Sequence, residues 1–391
     1  MSQQRDLDII VYGASGFTGR LVCEYLQQQY GVGGDIKWAM AGRSEQKLKQ
    51  VRDEMGIAEA VPLVVADSAD QGSVAAMVGR TKVLLTTVGP YQLYGSDIVK
   101  ACAEAGTDYV DLCGEPGWMH EMIAAHSDAA RASGARIVFS CGFDSIPFDL
   151  GVYYLQQLAA ADNQAPLTRV KGRVRAMNGS MSGGTLASFK ATMAAAGQNP
   201  ELVSVLMNPF ALTEEFAGPE QPSGLAPIHE DDLGSWSAPF VMATINTKNI
   251  HRSNYLQDHA YGENFVYDEM LLTGPGEQGE TIANAVANDK SMAKSELQPG
   301  DGPSKEERDN GNYDVIFVGS NDSGYKVVAS VKGDRDPGYG STSKMIAEAA
   351  VCLALDPEAA SGGIWTPAAA LGSALIDRLQ DNAGLSFQKE G

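Results

Sequence analysis

The sequence has few basic residues, few cysteines and no long apolar run, and each scarcity excludes a class of protein. Its 391 residues include 29 Lys and Arg against 49 Asp and Glu, a net charge of −20, so we expect no nucleic-acid partner. The five cysteines are odd in number and scattered, which fits neither a disulfide framework nor a paired-cysteine metal site. No apolar stretch approaches the roughly 18 residues of a membrane helix. These absences predict a soluble protein of the reducing cytoplasm.

The order of apolar and polar residues predicts two domains, as expected for a chain too long for one core. From residue 7 to about 147, short apolar runs alternate with helical stretches, as in a parallel sheet covered by helices. After residue 165, "RVKGRVRAMNG", "FVMATINTKNI", "NYDVIFVGSN" and "GYKVVASVKG" alternate like half-exposed strands, and from residue 341 the pattern is helical. We predict an α/β fold with a doubly wound Rossmann-type domain over 1–147. Helices from 341–391 complete it, and 148–340 form a substrate and dimerisation α+β domain with a mixed or antiparallel sheet.

A glycine-rich loop, "YGASGFTGRL", follows the first apolar run. Glycines at this point permit a tight turn and close approach of a pyrophosphate, while the following helix offers free N–H groups and its positive dipole end. Because the loop lies between a strand and a helix in the first βαβ unit, it predicts a dinucleotide site. The residues assigned to this cradle are Gly13, Ser15, Gly16, Phe17, Thr18 and Gly19.

The end of the second apolar run indicates which dinucleotide is bound. An NAD site usually has an acidic residue there, but this run ends in "AGRSEQK", with Arg43, Ser44 and, one helical turn on, Lys47. A guanidinium can donate two charge-assisted hydrogen bonds to a 2′-phosphate, so we predict NADP. The alternative is a solvated arginine at a helix start. Asp67, ending the third run, is assigned to the adenine amino group, and Val88-Gly89-Pro90, ending the fourth, to the nicotinamide side.

With these residues in place, the chain resembles the saccharopine-dehydrogenase-like oxidoreductases, within them the trans-acting enoyl reductases. The matching motifs include "GASGFTGRL", "TTVGPYQLYG", "YVDLCGEPGW", "CGFDSIPFDLG", "GGTLAS", "DPGYGSTSKM" and "GIWTPAAALG", from residue 13 to about 373. Phe148 departs from the small polar residue expected in "SIPFDLG" and is expected to reshape the pocket mouth. The resemblance implies NADPH-dependent hydride transfer to a carbon–carbon double bond of an acyl or lipid-like substrate.

Two other functions remain open. One is an NADP-linked dehydrogenase acting at a C–N bond, whose substrate with several carboxylates would require a basic cleft. The other is a non-catalytic NADP-binding protein at a lipid surface, for which the apolar "GGIWTPAAALGSALIDRL" is the best support. A core helix packed on the Rossmann sheet is the favoured interpretation of the same segment. We predict a homodimer; peripheral contact with a membrane or lipid is a further prediction that this alternative suggests.

Reduction of an enoyl group needs a proton donor beside the nicotinamide. Residues just after the fourth to sixth strands are the candidates, because ligands bind beyond the carboxyl ends of parallel strands. Tyr94 is the first choice, Tyr91 the alternative, and Asp144 a further catalytic candidate; both tyrosines could also be ordinary loop residues. Arg252, at the end of an expected strand, is assigned to clamp a carboxylate or phosphopantetheine group, although it could instead be structural.

The positions of the cysteines and histidines argue against a thioester mechanism and against a metal site. Cys141 follows a strand in "SCGFD" and could form a thioester, but no histidine lies near it in sequence, and such a cysteine is usually a buried apolar residue. His120 and His126 are six residues apart on one expected helix and point to nearly opposite faces. We therefore predict no metal site.

Overall fold

A computed structural model describes residues 5–179, 183–297, 300–356 and 360–390 of the chain. Within these ranges the strands are β1 (Leu7–Tyr12), β2 (Trp38–Gly42), β3 (Leu63–Val65), β4 (Thr81–Thr86), β5 (Asp108–Val110), β6 (Arg136–Val138), β7 (Arg169–Asn178), β8 (Ile228–Glu230), β9 (Ser235–Pro239), β10 (Val266–Gly274), β11 (Asn312–Ser320), β12 (Lys326–Gly333), β13 (Gly363–Trp365) and β14 (Leu385–Glu390).

The helices alternate with the strands in the first part of the chain and cluster in the second. In chain order the described ones are α1 (Phe17–Gln29), α2 (Glu45–Glu54), α3 (Gln71–Val78), α4 (Tyr91–Tyr94), α5 (Ser96–Ala105), α6 (Pro116–Ser133), α7 (Ile146–Ala161), α8 (Gly183–Ala196), α9 (Pro200–Met207), α10 (Ala243–Leu256), α11 (Gly276–Ala287), α12 (Ser291–Lys294), α13 (Lys305–Asn310), α14 (Thr342–Leu355) and α15 (Pro367–Asn382), with a π-helical turn over Pro337–Ser341.

The first sheet is parallel and covered on both faces. Its described strands run in the order β13-β6-β5-β4-β1-β2-β3. Ile9 and Val11 of β1 belong to the apolar core beneath α1 and α14, whereas Ile10 and Tyr12 belong to the core beneath α5 and α6. Successive side chains point to opposite faces, so a strand buried on both sides is apolar throughout. This confirms the predicted doubly wound α/β architecture.

The second sheet is mixed, as predicted. Its described strands run in the order β14-β12-β11-β7-β10-β9-β8, with β7 parallel to β10 and the other neighbours antiparallel. Helix α7 leaves the first sheet after β6 and packs against β11 and β12, so it joins the two sheets through one buried core. The predicted strands "RVKGRVRAMNG", "NYDVIFVGSN" and "GYKVVASVKG" are confirmed as β7, β11 and β12.

One predicted strand is wrong. The stretch "FVMATINTKNI" contains the start of α10 rather than a strand. Its polar residues suggested an exposed face, but Asn246 and Asn249 are buried and hydrogen-bonded to other buried groups. A polar residue with an internal partner gives the same alternation as a solvent-facing one, and the pattern alone does not distinguish them.

The C-terminal part returns to the first sheet and then leaves it. Helix α14 packs against α1, β4 and β5 as expected, but the helical prediction to the end of the chain missed β13, which extends the first sheet, and β14, which pairs with β12 of the second. The apolar side chains of the proposed lipid-contacting segment, including Leu371, Leu375 and Leu379 of α15, are buried in the core. Among the described residues, no helix has the length and apolar character to cross a bilayer.

Candidate functional site

The glycine loop has the geometry of a close turn between β1 and α1. Gly13 has φ +91°, and a Cβ there would lie 2.8 Å from both Thr87 Oγ1 and Val88 Cγ2, so only glycine fits. The Gly16 N–H donates to the Gly13 carbonyl at 2.9 Å, which closes the turn. Within the described residues, α1 begins at Phe17 without a side-chain cap on its first turn. Its terminal N–H groups therefore face the loop as free donors.

Gly19 lets the helix approach the loop. A Cβ on Gly19 would lie 2.1 Å from the Gly13 carbonyl oxygen, which is too close for any side chain. The helix therefore packs directly on the backbone of the turn, and its dipole end is held against the site. Gly19 serves this packing and is not among the described residues that line the cleft.

The loop opens into a cleft of about 850 Å³ at the carboxyl ends of β1, β4, β5 and β6. Most of the predicted cofactor residues meet there, on one wall. Those that line it are Gly13, Ser15, Gly16, Phe17, Thr18, Arg43, Lys47, Val88 and Gly89. Of the others, Ser44 caps α2 by accepting from the Lys47 N–H, and Pro90 precedes α4.

Asp67 is a predicted cofactor residue that is not among the described residues lining the cleft. Its carboxylate accepts the N–H of Ala69 at 3.0 Å, and its backbone N–H donates to Ser73 Oγ. The neighbouring Ser68 lines the cleft instead, next to Tyr12. The adenine contact assigned to the Asp67 side chain stays a prediction.

The two candidate tyrosines have different surroundings. The Tyr91 hydroxyl donates to the Thr86 carbonyl at 3.3 Å and accepts the Leu112 N–H at 3.0 Å, and burial raises its pKa well above the usual value. The Tyr91 hydroxyl therefore has a structural role, since it links these two backbone groups. Tyr94 is 46% exposed at the cleft mouth, and its hydroxyl has no hydrogen bond within the described residues.

Glu115 fixes the position of α8, which forms part of a second wall of the cleft. It lies after β5 and is 2% exposed, and its carboxylate accepts the backbone N–H groups of Tyr91 and Gln92, each at 2.9 Å. The same carboxylate accepts Ser188 Oγ of α8 at 2.8 Å, and the Gln92 amide also contacts Thr192 of α8 at 3.3 Å. Residues from distant parts of the chain thus fix α8 across the cleft from the glycine loop.

The wall formed by the second part of the chain is mainly apolar. It was missed in the sequence because its side chains come from several helices and loops and share no motif. The described side chains that make it apolar are Phe189, Met193, Leu206, Val241, Met242, Ile245 and Met292. Such a wall suits an aliphatic or acyl chain better than a charged ligand.

Asp144 is a carboxyl group among the described residues of this cleft. It follows β6, lines the cleft and is half-buried, and partial removal from water raises its pKa from 3.8 to about 6. Within the described residues its carboxylate has no hydrogen-bond donor. The adjacent Ser145 hydroxyl donates to Asn246 at 3.1 Å and accepts from Asn249 at 2.9 Å, which ties α10 to this end of the first sheet.

Arg252 and Cys141 are not among the described residues that line the cleft. The Arg252 guanidinium is buried in α10 and donates to the carbonyl oxygens of Leu212 and Ile364, so the predicted carboxylate clamp is wrong. Cys141 is fully buried and burial raises its thiol pKa well above the usual value, which leaves no accessible thiolate for a thioester. Phe148 packs on Phe143 in the core and does not reach the pocket mouth.

Comparison with known proteins agrees with this geometry. The family described as the saccharopine dehydrogenase NADP binding domain matches residues 9–138. A protein of Mycobacterium tuberculosis named as a trans-acting enoyl reductase, Rv2449c, is 39% identical over 98% of this chain and 97% of its own length. A trans-acting enoyl reductase of Mycobacterium ulcerans is 36% identical over 97% and 96%. The chain belongs to the saccharopine-dehydrogenase-like oxidoreductases, in the trans-acting enoyl reductase branch.

Solved structures support the fold of this family member. Apo saccharopine dehydrogenase (L-Glu forming) from Saccharomyces cerevisiae aligns with a TM-score of 0.55 at 11% identity, over 98% of this chain and 100% of that one. Homospermidine synthase from Legionella pneumophila aligns with a TM-score of 0.54 at 10% identity, over 98% and 91%. At these identities the likeness concerns architecture alone.

NADP, the cofactor of this family, fits the residues present. Gly13, Ser15 and Gly16 line the cleft beside the start of α1, where the loop backbone and the helix N-terminus would hold a pyrophosphate. Arg43 and Lys47 line the same cavity and would supply the positive charge that a 2′-phosphate needs. Among the described residues, no cluster of three or more His, Cys, Asp or Glu side chains could hold a metal ion. The chain is an NADP-dependent oxidoreductase.

Proposed function

We propose that this enzyme uses NADPH to reduce the carbon–carbon double bond of an enoyl substrate with an acyl or lipid-like chain. The observation that carries the proposal is one cleft lined by the predicted dinucleotide-binding residues, by Asp144 and by apolar side chains from the second part of the chain. The relatives named as trans-acting enoyl reductases support the same reaction.

The protein's part in this reaction is to orient the substrate and supply a proton. Bound NADPH supplies a hydride, which adds to the β-carbon. The electron pair of the double bond then takes a proton at the α-carbon, and the products are the saturated acyl group and NADP⁺. Asp144 is suited to give that proton because its raised pKa, about 6, keeps part of the population protonated near neutral pH. The apolar wall excludes water and holds the acyl chain beside it.

Tyr94 is the second candidate for this proton. Its hydroxyl lines the cleft, whereas the hydroxyl of Tyr91, one turn earlier on α4, is bonded to the backbone. The two positions therefore provide a matched pair of variants. If Tyr94 gives the proton, Tyr94→Phe will lower kcat about 100-fold or more, while Tyr91→Phe will lower stability more than kcat. If Asp144 gives it, Tyr94→Phe will change kcat less than Asp144→Asn does.

Charge placement argues against a substrate with several carboxylates. The basic residues of β7 are paired with acids: Arg169 with Asp268, Lys171 with Asp232, Arg173 with Glu230, and Arg175 with Glu390. Lys248 is buried and donates to the carbonyl oxygens of Leu206 and Thr244, at 2.7 and 3.0 Å. The cations among the described lining residues, Arg20, Arg43 and Lys47, all come from the cofactor side. The apolar wall therefore favours an enoyl chain over an amino-acid conjugate.

A panel of acceptors tests this function. Consumption of NADPH is measured with enoyl thioesters, α,β-unsaturated ketones and imines, each beside its saturated or reduced counterpart as control. We expect turnover with enoyl thioesters and no turnover with the saturated controls. Turnover confined to imines would move the function to C–N chemistry, and tight NADPH binding without turnover would support a non-catalytic role.

Homodimer formation, a cytoplasmic location and peripheral contact with lipid stay predictions. The first is open to light scattering after gel filtration, and the last to liposome flotation. Because Leu371, Leu375 and Leu379 are buried, any lipid contact would have to use another surface than the segment first considered.

A further inference from the structure

Arg20 is a basic residue of the cofactor cleft that neither the glycine pattern nor the end of the second strand accounts for. It lies in α1 directly after Gly19, and its side chain turns back toward the loop, where Nη2 donates to the Ser15 carbonyl at 3.4 Å. It lines the cleft together with Ser15, Arg43 and Lys47. Its side chain is 35% exposed, so it is partly enclosed by the loop.

The guanidinium of Arg20 has donors left over. Its Nε is buried and has no hydrogen-bond partner among the described residues. Nη1 lies 3.8 Å from Glu54 Oε2, which is an ion pair too long for a hydrogen bond, and that carboxylate is 47% exposed. The two Nη groups make only one 3.4 Å hydrogen bond and this long ion pair, so they keep N–H donors for an acceptor that enters the cleft.

The surroundings indicate an anion. Arg20, Arg43 and Lys47 are the cations among the described lining residues, in a chain whose net charge is −20. Ser15, which accepts from Arg20, is also next to the strand end that carries Arg43, since a Cβ on Gly42 would lie 3.7 Å from Ser15 Oγ. Ser15 thus lies between Arg20 on α1 and the end of β2 that precedes Arg43.

We propose that Arg20 is a second guanidinium for the 2′-phosphate of NADP and that it shares the selection against NAD with Arg43. Two planar guanidinium groups and an ammonium can surround a phosphate dianion, and each guanidinium offers paired donors to its oxygens. This proposal concerns cofactor recognition and does not depend on the nature of the reduced substrate.

Binding measurements test the proposal without turnover. Dissociation constants for NADPH, NADH, adenosine 2′,5′-bisphosphate and adenosine 5′-monophosphate are measured by calorimetry for the wild type, Arg20→Gln, Arg43→Gln and the double variant. We expect Arg20→Gln to weaken NADPH and the bisphosphate about 10-fold to 100-fold, as for the loss of a hydrogen bond to a charged group. NADH and the monophosphate should change less than about twofold, and Arg20→Lys should recover part of the loss because it restores the charge without the fork.

Glu54→Gln is the matched control, because it removes the ion-pair partner of Arg20 and leaves the cleft intact. It should leave NADPH binding unchanged or tighten it. The proposal is overturned if Arg20→Gln weakens NADPH and NADH equally, which would place Arg20 at the pyrophosphate, or if it changes neither. A thermal melt of each variant shows whether the fold is retained, and loss of binding in a variant that melts like the wild type is read as lost recognition.

Discussion

Replacing Asp144 by asparagine separates its chemical role from its structural one. Burial at the cleft raises the pKa of this carboxyl from 3.8 to about 6, so near pH 7 roughly one molecule in ten carries the proton that the proposed reaction needs. If Asp144 is the proton donor, kcat of the wild type will fall about tenfold for each pH unit above about 6. Asp144→Asn will be slower by roughly 100-fold to 10,000-fold at pH 6, and its kcat will lose this pH dependence.

The same substitution should make the protein more stable at alkaline pH. Because the folded-state pKa is above the unfolded one, the native state retains a proton that the unfolded state has lost between pH 3.8 and about 6. The penalty of the buried charge therefore grows through this window and is complete above it. At about 1.4 kcal/mol for each pH unit, it reaches about 3 kcal/mol. Asn at position 144 removes that charge, so Asp144→Asn should gain up to this amount at pH 8 and nothing below pH 4.

Two assays check these expectations together. NADPH consumption with an enoyl thioester is followed from pH 5 to 9, and urea unfolding is measured at the same pH values, with NADPH affinity as a test of an intact site. Asp162→Asn is a suitable control because it removes a surface carboxylate paired with Lys389 at 2.8 Å. A variant at position 144 that keeps its kcat, or a wild-type kcat that does not change between pH 5 and 8, would refute the assignment of Asp144 as donor.

Three further substitutions test the structural assignments. Gly19→Ala places a Cβ 2.1 Å from the Gly13 carbonyl, so we expect a loss of about 3 kcal/mol in the free energy of unfolding and at least tenfold weaker NADPH binding; wild-type melting and affinity would disprove the close packing. Cys141→Ala removes a buried thiol and should leave kcat within about twofold in the NADPH assay, whereas a loss above tenfold with intact cofactor binding would revive the thioester mechanism. Glu269→Gln removes a buried carboxyl whose pKa burial raises to about 8, so urea unfolding should show the wild type losing stability relative to the variant as pH rises from about 5 to 8; parallel curves would contradict this.

The local parts of the cofactor site could be predicted from the sequence because local chain geometry determines them. A tight turn between a buried strand and a helix requires glycine at Gly13 and Gly19, and Arg43, which follows the end of the second strand, lines the same cleft. The prediction was weaker where packing places a side chain: the Asp67 carboxylate accepts a hydrogen bond within its own loop, and Arg252 is buried in a helix where a strand was expected.

Only the tertiary structure determined which residues form the second wall of the cleft. It also determined whether each candidate catalytic side chain is buried, hydrogen-bonded or exposed. Glu115 and Ser188 are 73 positions apart, and their hydrogen bond brings α8 over the loop. Tyr91 and Tyr94 look alike in sequence, yet backbone partners from two other segments occupy one hydroxyl and leave the other exposed. The physical reason is that burial and hydrogen-bond partners are properties of contacts between distant segments, whereas turns and strand ends are properties of neighbouring residues. The sequence by itself therefore determined the kind of cofactor. The folded chain decided which other side chains line the cleft in which the proposed substrate is bound.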